Sequence, residues 1–576
     1  MLTLSLAQLD FIIGDLSGNV TRMAAAAWKA VADGAQVVVF TELALTGHPP
    51  CGLLDELGFL ARVDAALMKL CDASRGTPDL YWVVGAPTRH RPDKVLENSL
   101  LVLKNGQIVL QYAKQLLPTC NTFDERRYFK PGPDVAACLE MGGMRVGFLI
   151  GGDAWSGEGK DGTQSPLDRL AAEKPDFVIV IDASPSHING REERHARIAA
   201  ASHRHGFPMV VANQVGGRDQ LVFDGASFAA TPDGVVFEAA RFEEAMVTLR
   251  LQDGAFLDAD GAVLTPVSAA GLPLMEFYRR QIVLGVRDYT RLCGFSKVVV
   301  GSSGGLDSAL VLALAVEALE PENVIAVTLP SRISSIGSVN DSFALCQSLG
   351  INLFQHPIHG LVATYEQGFN ATFGEPLQGL ALENLQARVR GTVLMEYANQ
   401  FGALLLTTGN KSEISVGYCT LYGDTNGGLA PIGDLYKTEA FALSRHINET
   451  AGRELIPVAI INKAPSAELA PGQKDSDSLP PYPVLDTILK VLIEGKRLCT
   501  GERDEVKAAW DELAGTKDGT ALITRVRQMI WKSEFKRRQL APSLYLRPQP
   551  PGGRRKLSLA AKYEPNPIPV FYDGDE

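Results

Sequence analysis

The chain has 576 residues, 46% of them hydrophobic and 21% charged, which suits two to four packed domains and excludes a disordered, collagen-like or disulfide-stapled protein. Fifty-five Lys+Arg against 66 Asp+Glu give a formal net charge of -11. This balance argues against a general nucleic-acid or anionic-membrane binder, while an anionic small substrate needs only a few local cations. The 8 cysteines include no C-x-x-C pair, so neither a zinc nor a redox motif is expected. The N-terminus has no basic region and meets Asp10 early, and no apolar run reaches the roughly 18–20 residues needed to span a bilayer. A soluble cytoplasmic protein is expected.

In chain order, residues 2–9, 35–43, 79–87, 98–106, 144–150, 176–184 and 208–215 are β-rich runs ending near turns. Amphipathic stretches such as 19–32 and 192–205 lie between them, an α/β layered pattern. Residues 253–271 hold two DG turns and a proline with no long periodic segment, and are expected to link two domains. The alternation restarts with a helix over 274–293, a strand over 296–303 running into a glycine-rich turn, and a helix over 307–317. Further buried strands are expected at 323–330 and 403–410, and helices at 482–494 and 521–538. The proline- and glycine-rich end of the chain reads as an extended tail. The expected division is 1–252, a linker 253–273, 274–540 and a tail 541–576.

The strongest motif is GSSGGLDS: Gly301, Ser302, Ser303, Gly304, Gly305, Leu306, Asp307 and Ser308. Its glycines let backbone approach a ligand closely, and the helix that follows offers unpaired N–H groups to an anion. Asp307 would repel a bare phosphate, which suggests Mg2+ between carboxylate and phosphates. There is no GK[ST] and no GxGxxG. Taken alone, the motif is also compatible with a glycine turn that merely starts a helix.

SGGLDS resembles the pyrophosphate loop of the N-type ATP pyrophosphatases. With LPSRISSIGSVNDS, ENLQARVRGTVLM, TTGNKSEISVGYCTLYGD, DLYKTE, the proline-rich PSAEL segment and SEFKRRQ following in order, residues 274–539 closely resemble the synthetase domain of NAD synthase. The resemblance implies ATP on 301–308 and Thr408, and Mg2+ on Asp307 and Glu413. It implies deamido-NAD near Asn384, Glu413, Tyr418 and Lys536. The chemistry is consistent: ATP turns a poor electrophile, a carboxylate, into an acyl-adenylate, and cations stabilise the departing pyrophosphate. Arg388, Arg390, Lys411 and Lys437 are candidate cations, each also compatible with a solvated surface charge. The segment carrying Asp475 and Asp477 is expected to be a mobile closing loop.

In the first half, FTELALTGHPP, YAKQLLPTCNTFDERRYFKPG, RVGFLIGGDAW, IDASPSH and ANQVGGRDQLVFDGASF resemble, in that order, the nitrilase (carbon–nitrogen hydrolase) domain. This domain joined to the synthetase domain is the architecture of glutamine-dependent NAD synthase. The implied fold is α/β: an N-terminal nitrilase-like α-β-β-α sandwich and a C-terminal doubly wound parallel-sheet ATP pyrophosphatase domain. In that family a Glu is general base, a Lys supports the oxyanion, and a Cys attacks the glutamine amide. Ammonia then reaches the adenylate through an internal tunnel, and the chains form homo-oligomers. Glu42 and Lys114 match, but Gly151 stands where the Cys belongs and Gly152 replaces its acidic neighbour. In the glutamine pocket Ser184 matches, while Cys120 replaces a Tyr, Gly190 replaces a Lys or Arg beside Arg191, and His48 replaces a common Tyr.

Three explanations of Gly151 stay open at this level. The glutaminase is naturally degenerate and the synthetase uses free ammonia; the chain is an inactivated variant; or Cys120 substitutes as nucleophile. Two alternatives to the NAD synthase assignment also stay open. One is an ATP pyrophosphatase acting on a different acceptor, and the other a non-enzymatic paralogue serving as scaffold.

Overall fold

The computed structural model describes residues 1–90, 95–119, 124–155, 165–258, 260–268 and 270–548. Cys120 and the tail beyond residue 548 lie outside the described residues. The chain divides into two compact units, one of Met1–Gly216 with Val222–Gly271, the other built mainly of Leu272–Pro548.

Strands buried on both faces read as continuous apolar runs rather than alternating ones, and the first unit's central strands do so. Leu2–Gln8, Val37–Val39, Met144–Ile150 and Phe177–Asp182 are buried along nearly their whole length. They belong to two sheets, one of seven strands and one of six. Leu4, Leu6, Val37 and Val102 from the first sheet share one apolar cluster with Phe148, Ile150, Val178 and Val211 from the second. A second cluster packs Leu16–Ala32 and Leu57–Ser74 on the other side of the first sheet, through Met23, Ala27, Phe59 and Val63. Pro166–Ala172 and Gly190–His205 cover the second sheet through Leu167, Leu170, Ile198 and Ala201. The result is the expected α-β-β-α sandwich.

The second unit has a four-stranded, all-parallel sheet in the order Leu353–Gln355, Val324–Thr328, Val298–Gly301, Leu404–Leu406. The chain leaves Val298–Gly301 toward one neighbour and returns later to the other, so the strand order reverses beside that strand. Ligands of such sheets bind at the carboxyl ends where this reversal opens a crevice. The helix Leu306–Leu319, starting at this crevice, is buried almost all round.

The structure departs from two expected boundaries. Residues 253 and 254 are not the start of a linker. Asp253 and Gly254, at φ 51 and 80, form the two-residue turn between Ala245–Gln252 and Ala255–Leu257, which pair antiparallel at the edge of the first sheet. A DG pair at positive φ is the favoured hairpin turn. Residues 541–548 are not an extended tail: Leu544 and Leu546 are fully buried, and buried Arg547 pairs with Glu439 and Glu502. Among the described residues no helix is long and apolar enough to cross a membrane.

Candidate active sites

In the first unit the functional side chains gather at the ends of strands from both sheets. Glu42 lies just past Val37–Val39, Lys114 just past Gln107–Ala113, Gly151 just past Met144–Ile150, and Asp182 closes Phe177–Asp182. Lys114 Nζ donates to Glu42 Oε1 and Glu125 Oε1, both at 2.7 Å. Asn98 Nδ2 donates to the same Glu42 oxygen at 2.6 Å. Asp153 holds the turn after Gly151 against the Lys114 loop, accepting the N–H groups of Gln115 at 3.0 Å and Leu116 at 2.7 Å and the Tyr112 hydroxyl at 2.7 Å.

Gly151 sits at φ +46, a left-handed conformation that glycine adopts at little cost. A Cβ placed there would lie 3.2 Å from Glu42 Oε2, 3.3 Å from Asp182 Oδ1 and 3.5 Å from Lys114 Nζ. The side-chain direction of residue 151 therefore enters the Glu42–Lys114 cluster.

Burial works against the Glu42 charge, but Lys114, His48 and the hydrogen bonds from Lys114 and Asn98 outweigh it and hold the carboxyl below its usual range. Glu125 bears the cost of sharing one lysine, as burial and the Glu42 charge push it up to about 7. Asp182 is pushed up to about 6 by burial and by Glu42, against Arg194 and Lys114. Glu42, His48 and Glu125 bring possible ligand atoms within 4.8 Å of one another, but the cation among them is Lys114 itself.

Other expected pocket residues are less directly placed. Ser184 follows Asp182 by two residues, its N–H bonded to Asn213 Oδ1 at 2.9 Å. Gly190 opens the helix Gly190–His205, and a Cβ there would meet the His187 ring at 3.1 Å. The adjacent Arg191 is engaged by Glu238. No geometry is described for Cys120.

The second unit holds a cavity of about 430 Å3 at the reversal point of its sheet. Its lining includes all eight residues from Gly301 to Ser308 together with Thr408, Asn384, Glu413, Tyr418 and Lys536, so the side chains singled out from four separate motifs converge. Gly304, at φ +72, is required by more than its backbone angle, because a Cβ there would collide with the Ser338 carbonyl oxygen. Ser303 and Ser308 hydroxyls lie 3.0 Å apart, and Gly305 N–H donates to Ser303 Oγ at 3.2 Å. Lys437 Nζ forms a close pair with Asp307 and bonds Glu413 at 3.2 Å, so both carboxylates point at one cation position. Burial and the charges of Asp307 and Asp475 push Glu413 up to about 8 against Lys437. Asp475 accepts from Tyr482 at 2.7 Å.

Of the four candidate cations, Arg390 and Lys437 line the cavity. Lys411 does not; it is held by Asp434 and Glu494, and Arg388 donates to the Leu421 carbonyl. Lys536 reaches the cavity wall while donating to the carbonyls of Gly417 at 2.8 Å and Cys419 at 2.6 Å. Lys463, a further cation of the lining, donates to Ser338 Oγ at 2.6 Å and was missed in the sequence. Glu125, Asn98 and Asp182 were missed likewise. Glu125 and Asp182 carried a signal, since both fall inside stretches that resemble the nitrilase domain, 112–132 and 181–187.

Comparison with known proteins gives the family and agrees with the fold. Residues 3–255 match the carbon–nitrogen hydrolase family and residues 278–540 the NAD synthase family. The glutamine-dependent NAD(+) synthetase of Synechocystis sp. is 39% identical over 577 residues, covering 98% of this chain and 100% of the relative. That of Xanthomonas campestris pv. campestris is 38% identical over 584 residues, covering 100% and 98%. The solved glutamine-dependent NAD+ synthetase of Acinetobacter baumannii, in complex with ADP, superposes with a TM-score of 0.74 at 32% identity, covering 96% of this chain and 98% of that one. Fold and matches together define a carbon–nitrogen ligase that couples a nitrilase-type domain to an ATP-using synthetase domain. The chain belongs to the glutamine-dependent NAD(+) synthetase family.

Proposed function

We propose that this chain makes NAD from deamido-NAD, ATP and free ammonia, with Gly151 at the position of the family's glutaminase nucleophile. The observation that carries the proposal is the direction of the missing side chain at residue 151, which runs between Glu42 and Lys114. In this assignment Glu42 is the general base and Lys114 the oxyanion support of a machinery without its attacking atom. Cys120, Ser184 and Gly190 stand at its glutamine-binding positions. The amidase-like part then extends through the hairpin that ends at Leu257 and the synthetase part through residue 548, and the assembly expected is a homo-oligomer.

In the synthetase cavity, the N–H groups of the 301–308 turn and the hydroxyls of Ser303 and Ser308 hold ATP phosphates, with Thr408 beside the nucleotide. Asn384, Tyr418 and Lys536 line the deamido-NAD side. The substrate carboxylate displaces pyrophosphate from the ATP α-phosphate, and ammonia then displaces AMP from the acyl-adenylate. Lys437 and Lys463 meet the charge that develops on the pyrophosphate. Asp307 and Glu413 are hard oxygen donors now paired with Lys437, and they would hold Mg2+ once that ammonium turns to the phosphates, where the ion would neutralise charge.

Release of AMP in the presence of ATP, ammonium chloride and Mg2+ tests the assignment. It should require deamido-NAD and match NAD formation one for one. AMP release that ignores deamido-NAD and follows another carboxylate would favour a different acceptor.

A further inference from the structure

Asn410 stands between two residues on which the second site depends. It is fully buried and does not line the cavity, although Thr407, Thr408, Gly409 and Glu413 do. Its Oδ1 accepts the Glu413 N–H at 3.0 Å and so caps the helix Lys411–Val416. Its Nδ2 donates to Asp307 Oδ1 at 3.2 Å, joining positions 103 residues apart. The two bonds fix the orientation of the amide, because turning it over would set oxygen against oxygen at Asp307 and N–H against N–H at Glu413. The turn that carries Asn410 is itself tied down. The Lys411 N–H donates to the Leu435 carbonyl at 2.7 Å, and the Lys437 N–H to Ser412 Oγ at 2.9 Å. Buried Asp486 accepts the Ser412 hydroxyl and, at 2.9 Å, the Thr438 N–H. Segment 410–413 is therefore fastened to the start of the helix Lys437–Ala451, which carries the cavity lysine.

We propose that Asn410 is a positioning residue of the synthetase site: it holds the Asp307 carboxylate in register with Glu413 and leaves Asp307 Oδ2 to a cation. The proposal rests on the assignment of Mg2+ to Asp307 and Glu413. Asp307 Oδ1 is held by Asn410 and Oδ2 by Lys437, and among the described residues no other hydrogen bond fixes this carboxylate. Once the Lys437 ammonium turns to the phosphates, Asn410 is the bond that stays. A carboxylate anchored at one oxygen presents the other in a set direction, so an arriving ion does not have to order it. The cap bond and the tether come from one side chain, so the start of the Glu413 helix and the Asp307 carboxylate share one reference point. An aspartate would cap the helix equally well but would turn an oxygen, not an N–H, toward Asp307.

Calorimetric titration of the full chain with α,β-methylene-ATP, run in Mg2+ and again in EDTA, tests the role. The ratio of the two affinities is the share that the metal contributes. Asn410→Ser keeps a helix cap but is too short to reach Asp307. It should lower that ratio by about tenfold, the scale of losing a partner that orients a metal-binding side chain, and leave the affinity in EDTA unchanged. A purely structural role would lower both affinities together and leave the ratio alone. Asp307→Asn should remove the metal's share, and Asn410→Ser added to it should then cost nothing further. An unchanged ratio in Asn410→Ser, or the same loss with and without the Asp307 carboxylate, overturns the positioning role. A ratio in Asp307→Asn equal to the parent's overturns instead the metal assignment beneath it. Far-UV circular dichroism checks each fold, and Asn410→Thr, a cap that fills more of the buried space, carries the test if Asn410→Ser misfolds.

Discussion

Each unit builds its candidate site around a lysine flanked by two carboxylates. In the first, Lys114 lies between Glu42 and Glu125; in the second, Lys437 lies between Asp307 and Glu413. What stands next to the lysine separates the two. Beside Lys437 a glycine-rich turn supplies N–H groups and hydroxyls to a cavity of about 430 Å3, so the charges face a space suited to an anionic ligand. Beside Lys114 stands Gly151, with no side chain, and the charges face one another. In the proposed assignment the same ionic motif serves phosphoryl chemistry in one unit and, in the other, stands without a nucleophile. Charge clusters alone do not identify an active site; the reacting atom they surround does.

Breaking the first cluster should be costlier than breaking the second. Lys114→Met leaves Glu42 and Glu125 buried without their cation and should destabilise the chain by about 3–5 kcal/mol at neutral pH. Denaturant unfolding measures this. The loss should shrink on acidification as the carboxylates protonate. A stable variant at neutral pH would show that the cluster carries no strain.

Asp307→Asn should lower NAD formation by about 10²-fold with the fold intact, the scale of removing one electrostatic contact in a transition state. Steady-state rates and far-UV circular dichroism check it together. A near-native rate would detach Asp307 from the chemistry.

Asp182→Asn sharpens the comparison through pH. The Asp182 pKa is raised to about 6, so the folded chain favours the protonated form. The stability carried by that proton is complete below about pH 4 and is lost as pH rises through about 6. The Asn variant escapes this loss. It should be more stable than the parent by about 3 kcal/mol at pH 8, and equal to it near pH 4. A constant difference across that range would contradict the assigned shift.

Lys536→Ala is expected to have the smallest effect. Its ammonium ties down the Gly417 and Cys419 carbonyls at the cavity wall, so its loss should weaken deamido-NAD about tenfold and ATP less. Calorimetric titration with each ligand separates the two. Equal weakening of both would place Lys536 in general loop support.

The fold was largely legible because its strands are either continuous apolar runs or end on polar turns, and the residues that converge at each candidate site could be named because their motifs are contiguous. Asp253-Gly254 was misplaced because a DG pair marks a linker and a hairpin alike, and only the pairing of 245–252 with 255–257 decides between them. Arg547 was hidden in a proline-rich stretch whose burial depends on partners a hundred residues away and nearer, Glu439 and Glu502. Asn98 was invisible for a similar reason, since a lone polar residue in an apolar strand has no local pattern. Lys411 looked like Lys437 in sequence; only the structure shows which of the two faces the cavity.

Whether residue 151 decides the nitrogen source is tested most directly by measuring NAD formation from ammonia and from glutamine, side by side, on the unmodified chain. Robust synthesis from ammonia and none detectable from glutamine is the predicted result. Gly151→Cys with Gly152→Glu, run in parallel, shows whether the rest of the pocket still holds glutamine. Glutamine-dependent synthesis at the ammonia rate by the unmodified chain would contradict the account; its loss in Cys120→Ala would transfer the nucleophile's role to Cys120.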